Sequence, residues 1–249
     1  MPSRPIRLFV AAILLALAAD AYSQERLLMV TEEWPPFRFA EAGGPAGLGG
    51  LDIDLCRRLE KLLGVTIEIQ VHPWPRALEM LKSGQADMMT GVAYTAERAE
   101  YLSYVPTPYF SVTPVFYAPK GKGALVRAYE DLVGQSIGQS KSTAYFEPYN
   151  SDSKLTKITL GSEAQILQML ALGRIDLAIG TDPNISYDIA RLGYRGSLER
   201  TVFQPAVKTD LRIALSKRSP AASLVERMDE AIRSLVAEGG IEAIAAKYR

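Results

Sequence analysis

The chain has 249 residues, enough for one large or two small domains with a substantial hydrophobic core. Its 28 basic and 28 acidic side chains balance, so the composition shows no electrostatic preference for nucleic acid or anionic membranes. No basic run with interleaved aromatic residues occurs, which argues further against a nucleic-acid-binding protein. The composition therefore indicates an ordinary globular protein.

The N-terminal segment has the layout of a secretory signal peptide. Two arginines precede an apolar run at 8–19, and small residues follow at Ala21 and Ser23. Cleavage after either small residue fits, and we take 1–23 as the signal peptide. A membrane anchor is the alternative, although the apolar run is shorter than the roughly 20 residues that span a bilayer. We therefore expect an exported protein that works in the periplasm.

The single cysteine limits the chemistry that the chain can support. Cys56 has no partner for an internal disulfide, and the one histidine beside it is too few for a typical zinc site. Cys56 shares a helical stripe with Leu59 and Leu63, so we expect a buried core thiol rather than a reactive nucleophile. We predict no metal, no cofactor and no catalytic residue.

The first half of the chain predicts a β-α-β-α-β unit. Apolar segments predict the strands, and apolar residues at helical spacing, followed by Gly64 and Gly84, predict the helices. The predicted elements are strands 27–31, 65–71 and 87–92 and helices 52–63 and 76–83. This order is typical of a sheet with mainly parallel strands.

The same order returns in the second half. The predicted elements are strands 136–140, 157–160 and 176–180, a helix that starts near 142, and a helix at 162–172. Residues 77–91 align with 166–180, and the match includes a Gly, an Asp and a second Gly besides the leucines. Helix–Gly–strand units resemble one another in many proteins, but these matched residues favour two lobes of similar topology.

Two further helices close the chain. Ser219 is the predicted N-cap, Pro220 occupies the first helical position, and an apolar stripe continues to Leu235 before two glycines end the helix. A short helix at 241–248 follows. Both helices fall outside the repeat, so they must dock on one lobe, which is then built from both ends of the chain.

Three loops of the first lobe leave the carboxyl ends of strands, where open α/β sheets bind their ligands. They carry Trp34, Trp74 and Arg98, and prolines hold both tryptophans in stiff loops. Two tryptophans on convergent loops suit a stacking wall, although each alone could be a rim residue. The planar Arg98 fork suits a carboxylate, and Thr95 resembles the N-cap of a helix there. A solvated surface charge is the alternative for Arg98.

The corresponding loops of the second lobe carry smaller polar residues. They are Ser142, Thr143, Tyr145, Thr181 and Asp182. In the repeat alignment Asp182 falls opposite Ala93, and an acid that faces Arg98 across a cleft would suit a zwitterion. The alternative is that Asp182 begins a turn with Pro183 and Asn184.

In order and spacing, these motifs resemble the bacterial extracellular solute-binding protein family 3, the polar amino acid-binding proteins of ABC importers. The segments that carry the resemblance are WPPF (34–37), GLDIDLCRRL (50–59), SGQADMMTGVAYTAER (83–98), GQSIGQSKSTAYFE (134–147) and the closing GGIEAIAAKYR. The similarity covers about 26–249 and marks a divergent member. It implies the two-lobed type II periplasmic-binding-protein fold, an α/β fold in which each lobe is a mainly parallel sheet flanked by helices, with the ligand cleft between the lobes.

The resemblance also implies lobe boundaries and site residues. The implied boundaries are 24–110 and 210–249 for the first lobe, 111–209 for the second lobe, and strands near 109–113 and 205–210 for the hinge. Arg98 would bind the ligand carboxylate, and Trp34 and Trp74 would flank the ligand side chain. The rest of the predicted ligand-binding set is Gly91, Ala93, Tyr94, Ser142, Thr143, Thr181 and Asp182.

Three departures from the family pattern bear on the ligand. Small hydroxyl residues are frequent in the family where Gly91 and Ala93 stand, and its Gly-Thr-Thr loop reads Ser-Thr-Ala here. Its amine-binding acid usually falls where Thr181 stands, one place before Asp182. The pattern therefore supports binding of a carboxylate more firmly than recognition of an amino group.

The predicted function is capture of a small polar, carboxylate-bearing ligand, an amino acid or a related organic acid, for an ABC importer. The predicted partners are this small molecule and a membrane permease or receptor, and we expect a monomer that binds no nucleic acid. A sensory protein that presents its closed form to a receptor is one alternative. A cyclohexadienyl dehydratase-like enzyme is another, with Glu32, Glu33 or Asp182 as general acid. No spacing forces a pair of these acids together, so we expect no enzyme.

Overall fold

The computed structural model describes residues 25–44 and 47–248 and folds them into a two-lobed α/β structure. The predicted signal peptide, with both of its cleavage positions, lies outside the described residues. The strands are β1 (Arg26–Thr31), β2 (Phe39–Ala40), β3 (Leu48–Gly49), β4 (Thr66–Val71), β5 (Met88–Val92), β6 (Leu102–Tyr104), β7 (Phe110–Pro119), β8 (Ser136–Ser140), β9 (Thr156–Leu160), β10 (Leu177–Asp182), β11 (Leu198–Arg200) and β12 (Thr209–Ser216). The α-helices are α1 (Leu51–Leu63), α2 (Trp74–Ser83), α3 (Ala96–Ala99), α4 (Glu163–Ala171), α5 (Asn184–Arg191), α6 (Val225–Ala237) and α7 (Gly240–Ala245). Within these described ranges, no helix has the length and apolar character needed to cross a bilayer.

Each lobe contains three parallel strands, in the order β4-β1-β5 in the first lobe and β10-β8-β9 in the second. Two longer strands join the lobes. The start of β12 pairs with β7, residues 209–211 against 110–112, and its end pairs with β5 and β6. β7 then continues antiparallel along β10. The chain therefore crosses between the lobes on two hydrogen-bonded strands, while the residue boundaries of the lobes stay a prediction.

The repeat has the same structural role in both lobes. Asp87 lies just before β5, where its amide donates to the Leu28 carbonyl at 2.9 Å and its carboxylate accepts from the Leu28 amide at 2.6 Å. Asp176 lies just before β10 and makes the equivalent pair with Ser136, at 3.0 and 2.9 Å. Each aspartate thus ties its strand to the neighbouring parallel strand, which explains why the alignment matches at this position.

Helices α6 and α7 dock on the first lobe, as predicted. Met228, Ile232 and Ile244 join the same buried apolar cluster as Met29 and Cys56. Cys56 is fully buried, with Sγ 3.4 Å from Sδ of Met29. Burial raises the pKa of the Cys56 thiol and so favours its uncharged form. The predicted core thiol is therefore confirmed.

Two predictions about local structure are wrong. Trp74 lies not in a loop but at the start of α2, because Pro73 and Pro75 fit the N-cap and the first turn of a helix. The helix predicted to start near Ser142 does not form. Ser142 lies in a turn with a left-handed φ of 60°, and Pro148 is incompatible with the interior of a helix.

Candidate functional site

A cavity of about 490 Å³ lies between the lobes, at the carboxyl ends of the parallel strands of both. The predicted residues that line it are Trp34, Trp74, Gly91, Ala93, Arg98, Thr143 and Thr181. The volume falls within the range of ordinary small-molecule sites. The structure therefore brings most of the predicted set together around one space.

Trp34 forms part of the cavity wall. Its ring stacks on Phe37 with centroids 4.4 Å apart and planes 17° apart, and the Arg38 guanidinium lies 5.1 Å from the ring centroid. Gly91 lies beside them with a φ of 72°. A Cβ at this position would lie 2.7 Å from Nη1 of Arg38 and 3.4 Å from the Trp34 ring. Glycine is therefore needed both for the backbone conformation and for the space.

A buried ion pair between Arg38 and Asp52 stabilises this part of the cavity wall. Arg38 is 1% exposed and pairs with Asp52 of α1, which is fully buried. The Asp52 carboxylate also accepts hydrogen bonds from Thr90 Oγ1 and the Tyr109 hydroxyl, each at 2.8 Å. The sequence analysis missed this network, because an arginine after a turn and an aspartate in a first helical turn both resemble ordinary surface residues.

Arg98 is a buried side chain and not a solvated surface charge. Thr95 caps α3 as predicted, with Oγ1 accepting from the Arg98 amide at 3.1 Å. The side chain is 6% exposed and its guanidinium lies 5.5 Å from the Trp74 ring centroid. Nη1 donates to the Ala93 carbonyl at 3.0 Å, and Nη2 donates to the Ser142 carbonyl of the other lobe at 2.7 Å. The Arg98 guanidinium therefore connects the two lobes across the cleft by hydrogen bonds.

Ser142 contributes its backbone rather than its side chain. Its carbonyl oxygen accepts from Arg98 and also from Nε1 of Trp74, at 3.2 Å. Ser142 itself does not line the cavity, and neither does Tyr94, which is 60% exposed. These two predicted binding residues thus lie beside the site and not in it.

Asp182 also lies outside the cavity lining. It pairs with Arg200 and accepts a hydrogen bond from Ser186 Oγ at 2.5 Å. Successive side chains of a strand point to opposite faces, so Thr181 lines the cavity while Asp182 points away. Asp182 belongs to the predicted binding set, but it does not face Arg98 across the cleft.

A carboxyl group outside the predicted set reaches the cavity from α4. Glu163 accepts a hydrogen bond from Nδ2 of Asn184, and Asn184 Oδ1 accepts from Thr181 Oγ1 at 2.6 Å. Burial, together with the negative charge of Asp188, raises the pKa of Glu163 well above its usual value. The sequence gives no sign of this role, because an acid in the first turn of a helix is common wherever it complements the helix dipole.

Glu32 faces the same cavity from the first lobe. It directly follows β1, and burial raises the pKa of its carboxyl to about 7, although Arg38 opposes the shift. The charge of Glu32 also contributes to the raised pKa of Glu163, so the two carboxyls interact across the cleft. In the part of the chain that the structure describes, no group of three His, Cys, Asp or Glu residues is placed to hold a metal ion.

Comparison with known families agrees with this architecture. Residues 27–249 match the family described as bacterial extracellular solute-binding proteins, family 3. The chain belongs to this family. Its fold is accordingly that of the periplasmic binding proteins, and the predicted resemblance is confirmed.

Individual relatives are distant. A probable histidine-binding protein of Neisseria gonorrhoeae is 25% identical over 223 residues, 87% of this chain and 80% of that protein. The L-cystine-binding protein TcyJ of Escherichia coli strain K12 is 23% identical over 250 residues, 95% and 91% of the two chains. A solved histidine kinase sensor domain with similarity to periplasmic binding proteins is 23% identical, with a TM-score of 0.76 over 92% of this chain and 97% of that one. The low identities fit a divergent member, and the last likeness shows the shared fold.

Proposed function

We propose that this chain is a periplasmic solute-binding protein that captures a small carboxylate-bearing ligand, an amino acid or a related organic acid, by closing its lobes. The observation that carries the proposal is Arg98, a buried guanidinium on the cavity wall. Relatives named as histidine- and cystine-binding proteins support an amino acid as the ligand. Membership of the family supports delivery of the ligand to an ABC importer.

The free donors of Arg98 suit a carboxylate. A guanidinium has five N–H groups, and Arg98 uses one on Ala93 and one on Ser142. The remaining donors lie in the plane of the fork, where a carboxylate accepts two parallel charge-assisted hydrogen bonds. Because closure removes water from the cleft, the same ion pair is stronger in the closed protein than in the open one.

Two aromatic rings limit the shape of the bound molecule. Trp34 and Trp74 both line the cavity, each fixed by a guanidinium against its ring. Rigid indoles give apolar contact area at a low cost in conformational entropy. We therefore propose that the ligand carboxylate meets Arg98 while its remaining atoms lie against the tryptophans.

A thermal-shift screen of amino acids and small organic acids tests the proposal with the purified mature protein. A true ligand raises the melting temperature with concentration, because it binds only the folded state. We expect Arg98→Ala to abolish the shift. The matched control is Arg57→Ala, which removes an arginine of α1 that pairs with Glu60 and does not line the cavity.

Two outcomes would contradict the assignment. One is a ligand that stabilises the Arg98→Ala variant as strongly as the wild type. The other is a complete screen in which no carboxylate-bearing compound shifts the melting temperature of the wild type.

A sensory role is the second candidate, because a histidine kinase sensor domain has the same fold. Ligand capture by closure is common to both roles, so binding measurements do not separate them. Uptake of the identified ligand by cells that lack this protein does separate them. Loss of uptake supports the importer, whereas normal uptake with loss of a ligand-dependent response supports the sensor.

A further inference from the structure

An aromatic pair bridges the cleft at the rim of the cavity. Phe39 follows β1 of the first lobe, and Tyr187 follows β10 of the second lobe. Their rings stack with centroids 6.5 Å apart and planes 23° apart, within the range of favourable aromatic pairs. Both residues line the cavity and Tyr187 is 37% exposed, so the pair lies where the cavity meets solvent.

This bridge is separate from the hydrogen bonds that Arg98 and Trp74 donate to the Ser142 carbonyl. Those hydrogen bonds join residues that follow β4 and β5 to the turn that follows β8. The aromatic pair instead joins residues that follow β1 and β10. The two lobes are therefore bridged at two places around one cavity, by polar contacts at one and by rings at the other.

Each ring is held by its own lobe. Phe39 pairs with Gly49 in the short sheet of β2 and β3, and its ring meets that of Tyr248 edge to face at 6.1 Å and 76°. Ile185 and Ile189 bury one face of α5 in the second lobe. Tyr187 lies midway between these isoleucines on the helix and so points to the other side. Movement of one lobe relative to the other therefore makes or breaks the ring contact.

The charged groups near the aromatic pair do not join the lobes. Glu33 of the first lobe and Asp188 of the second both line the cavity, and Arg191 pairs with Asp188 of its own helix at 2.9 Å. Burial raises the pKa of Asp188, Arg191 opposes the shift, and the negative charge of Glu33 adds to it. None of the ion pairs within 25–44 and 47–248 crosses the cleft. The ring contact is therefore the attraction that the structure shows at this part of the rim.

We infer that Phe39 and Tyr187 form an aromatic latch, which favours the joined lobes in the unliganded protein and must open before a ligand enters or leaves. Stacking removes apolar surface of both rings from water and adds the attraction of an aromatic pair. The inference rests on the lobe closure of the proposed function and adds two residues that control it. Its test uses the unliganded protein, so it does not depend on which ligand binds.

Distances between two spin labels measure the latch in the extensively dialysed mature protein. Cys56 is fully buried, so cysteines introduced at exposed positions take the labels selectively. The substitutions are Ala42→Cys, just beyond β2, and Arg195→Cys, just beyond α5, and both positions are exposed. The labels flank the latch, so their separation increases when it opens. Pulsed electron paramagnetic resonance then gives the populations of joined and separated lobes.

Three variants in this labelled background test the ring contact. Phe39→Ala and Tyr187→Ala each remove one ring, and we expect either to shift the ratio of joined to separated lobes about two- to tenfold towards separation. The double variant should shift this ratio no further than a single variant does, because the contact is already lost. Tyr187→Phe keeps the ring and should keep the wild-type ratio.

Tyr248→Ala is the matched control. It removes the other aromatic neighbour of Phe39, which lies in the same lobe, and leaves the contact across the cleft in place. We expect this variant to keep the wild-type ratio of joined to separated lobes. The free energy of unfolding in urea, measured for all the variants, separates a loss of packing within a lobe from a change between the lobes.

Three results would overturn the inference. Label distances in Phe39→Ala and Tyr187→Ala that match the wild type would show that the rings do not control the lobes. Additive shifts in the double variant would show that the two rings act separately and not through their contact. An equal shift in Tyr248→Ala would mean that the labels report loosening of β2. Each of these results leaves ligand capture by Arg98 standing, and a negative ligand screen leaves the label distances unchanged.

Discussion

The carbonyl oxygen of Ser142 lies 2.7 Å from Nη2 of Arg98, and this hydrogen bond joins the second lobe to the first. The same oxygen accepts from Nε1 of Trp74 at 3.2 Å. Ser142 lies in the left-handed region, with φ of 60°, as it presents this carbonyl. The two lobes are therefore connected by two side chains that also line the ligand cavity.

Replacing Trp74 with Phe should weaken the contact between the lobes, because it removes the Nε1 donor and keeps an aromatic ring. One net hydrogen bond contributes about 0.5–1.5 kcal/mol, so we expect ligand affinity to fall about two- to tenfold in calorimetry. Without ligand, the radius of gyration from X-ray scattering should increase. Trp34→Phe leaves the Ser142 carbonyl with both donors and should not change that radius. An unchanged radius in Trp74→Phe would contradict the role of this contact.

Gly91→Ala should destabilise the protein by about 2–4 kcal/mol, as the sum of a left-handed backbone and a forced contact with Arg38. Gly121→Ala is the matched control, because its φ is 85° but nothing lies within 4 Å of the added methyl group. Gly121→Ala should lose only the stability that the left-handed backbone costs, about 1–2 kcal/mol. The free energy of unfolding in urea measures the loss in each variant. Equal losses in the two variants would show that the space beside Arg38 and Trp34 is not tight.

Asp52→Asn should cost about 3–5 kcal/mol, because it leaves the buried Arg38 guanidinium without a compensating charge. Asp54→Asn, two residues further along α1, affects a partly exposed pair with Lys247 and a hydrogen bond with Tyr248, and it should lower the free energy of unfolding by only about 1 kcal/mol. The free energies of unfolding in urea make the comparison. A loss below 1 kcal/mol for Asp52→Asn would mean that the Trp34 wall does not depend on this ion pair.

The raised pKa of Glu32, about 7 against a usual 4.5, predicts a pH dependence of stability in the unliganded protein. The folded state keeps the proton to higher pH than the unfolded chain, so the free energy of unfolding should fall as pH rises from about 4.5 to 7. Glu32→Gln should remove up to about 2 kcal/mol of this decline, a figure reduced because the carboxyl is partly exposed in the cavity.

The same pH series with Glu33→Gln is the control for that measurement, since Glu33 is the exposed neighbour on the same loop. The free energy of unfolding of Glu33→Gln should change with pH as that of the wild type does. If the free energy of unfolding of Glu32→Gln also changes with pH as the wild type does between pH 4.5 and 8, the Glu32 carboxyl titrates alike in the folded and unfolded states.

Local patterns predicted much of the molecule. The order of strands and helices follows from hydrophobic periodicity, and the cap of α3 follows from Thr95 three residues before Arg98. Both depend on residues close together in the chain. The position of Trp34, Trp74 and Arg98 around one cavity follows from the rule that parallel strands bring their carboxyl ends to one edge.

The directions of individual side chains could not be predicted without the tertiary structure. Asp182 and Thr181 are neighbours in β10, and their opposite directions decide which of them meets the cavity. Asp182 is further fixed by Arg200, a residue on another strand. The carbonyl of Ser142 depends in the same way on donors 44 and 68 residues away.

Neighbouring residues and the repeat were enough to predict two similar lobes and an arginine among aromatic loops, whereas the signal peptide stays a prediction. That Glu163 reaches the cavity and Asp182 does not became visible in the folded protein. The reason is that the free energy of a partly buried charge depends on the groups packed around it, and for Glu163 these come from α5, β10 and the opposite lobe.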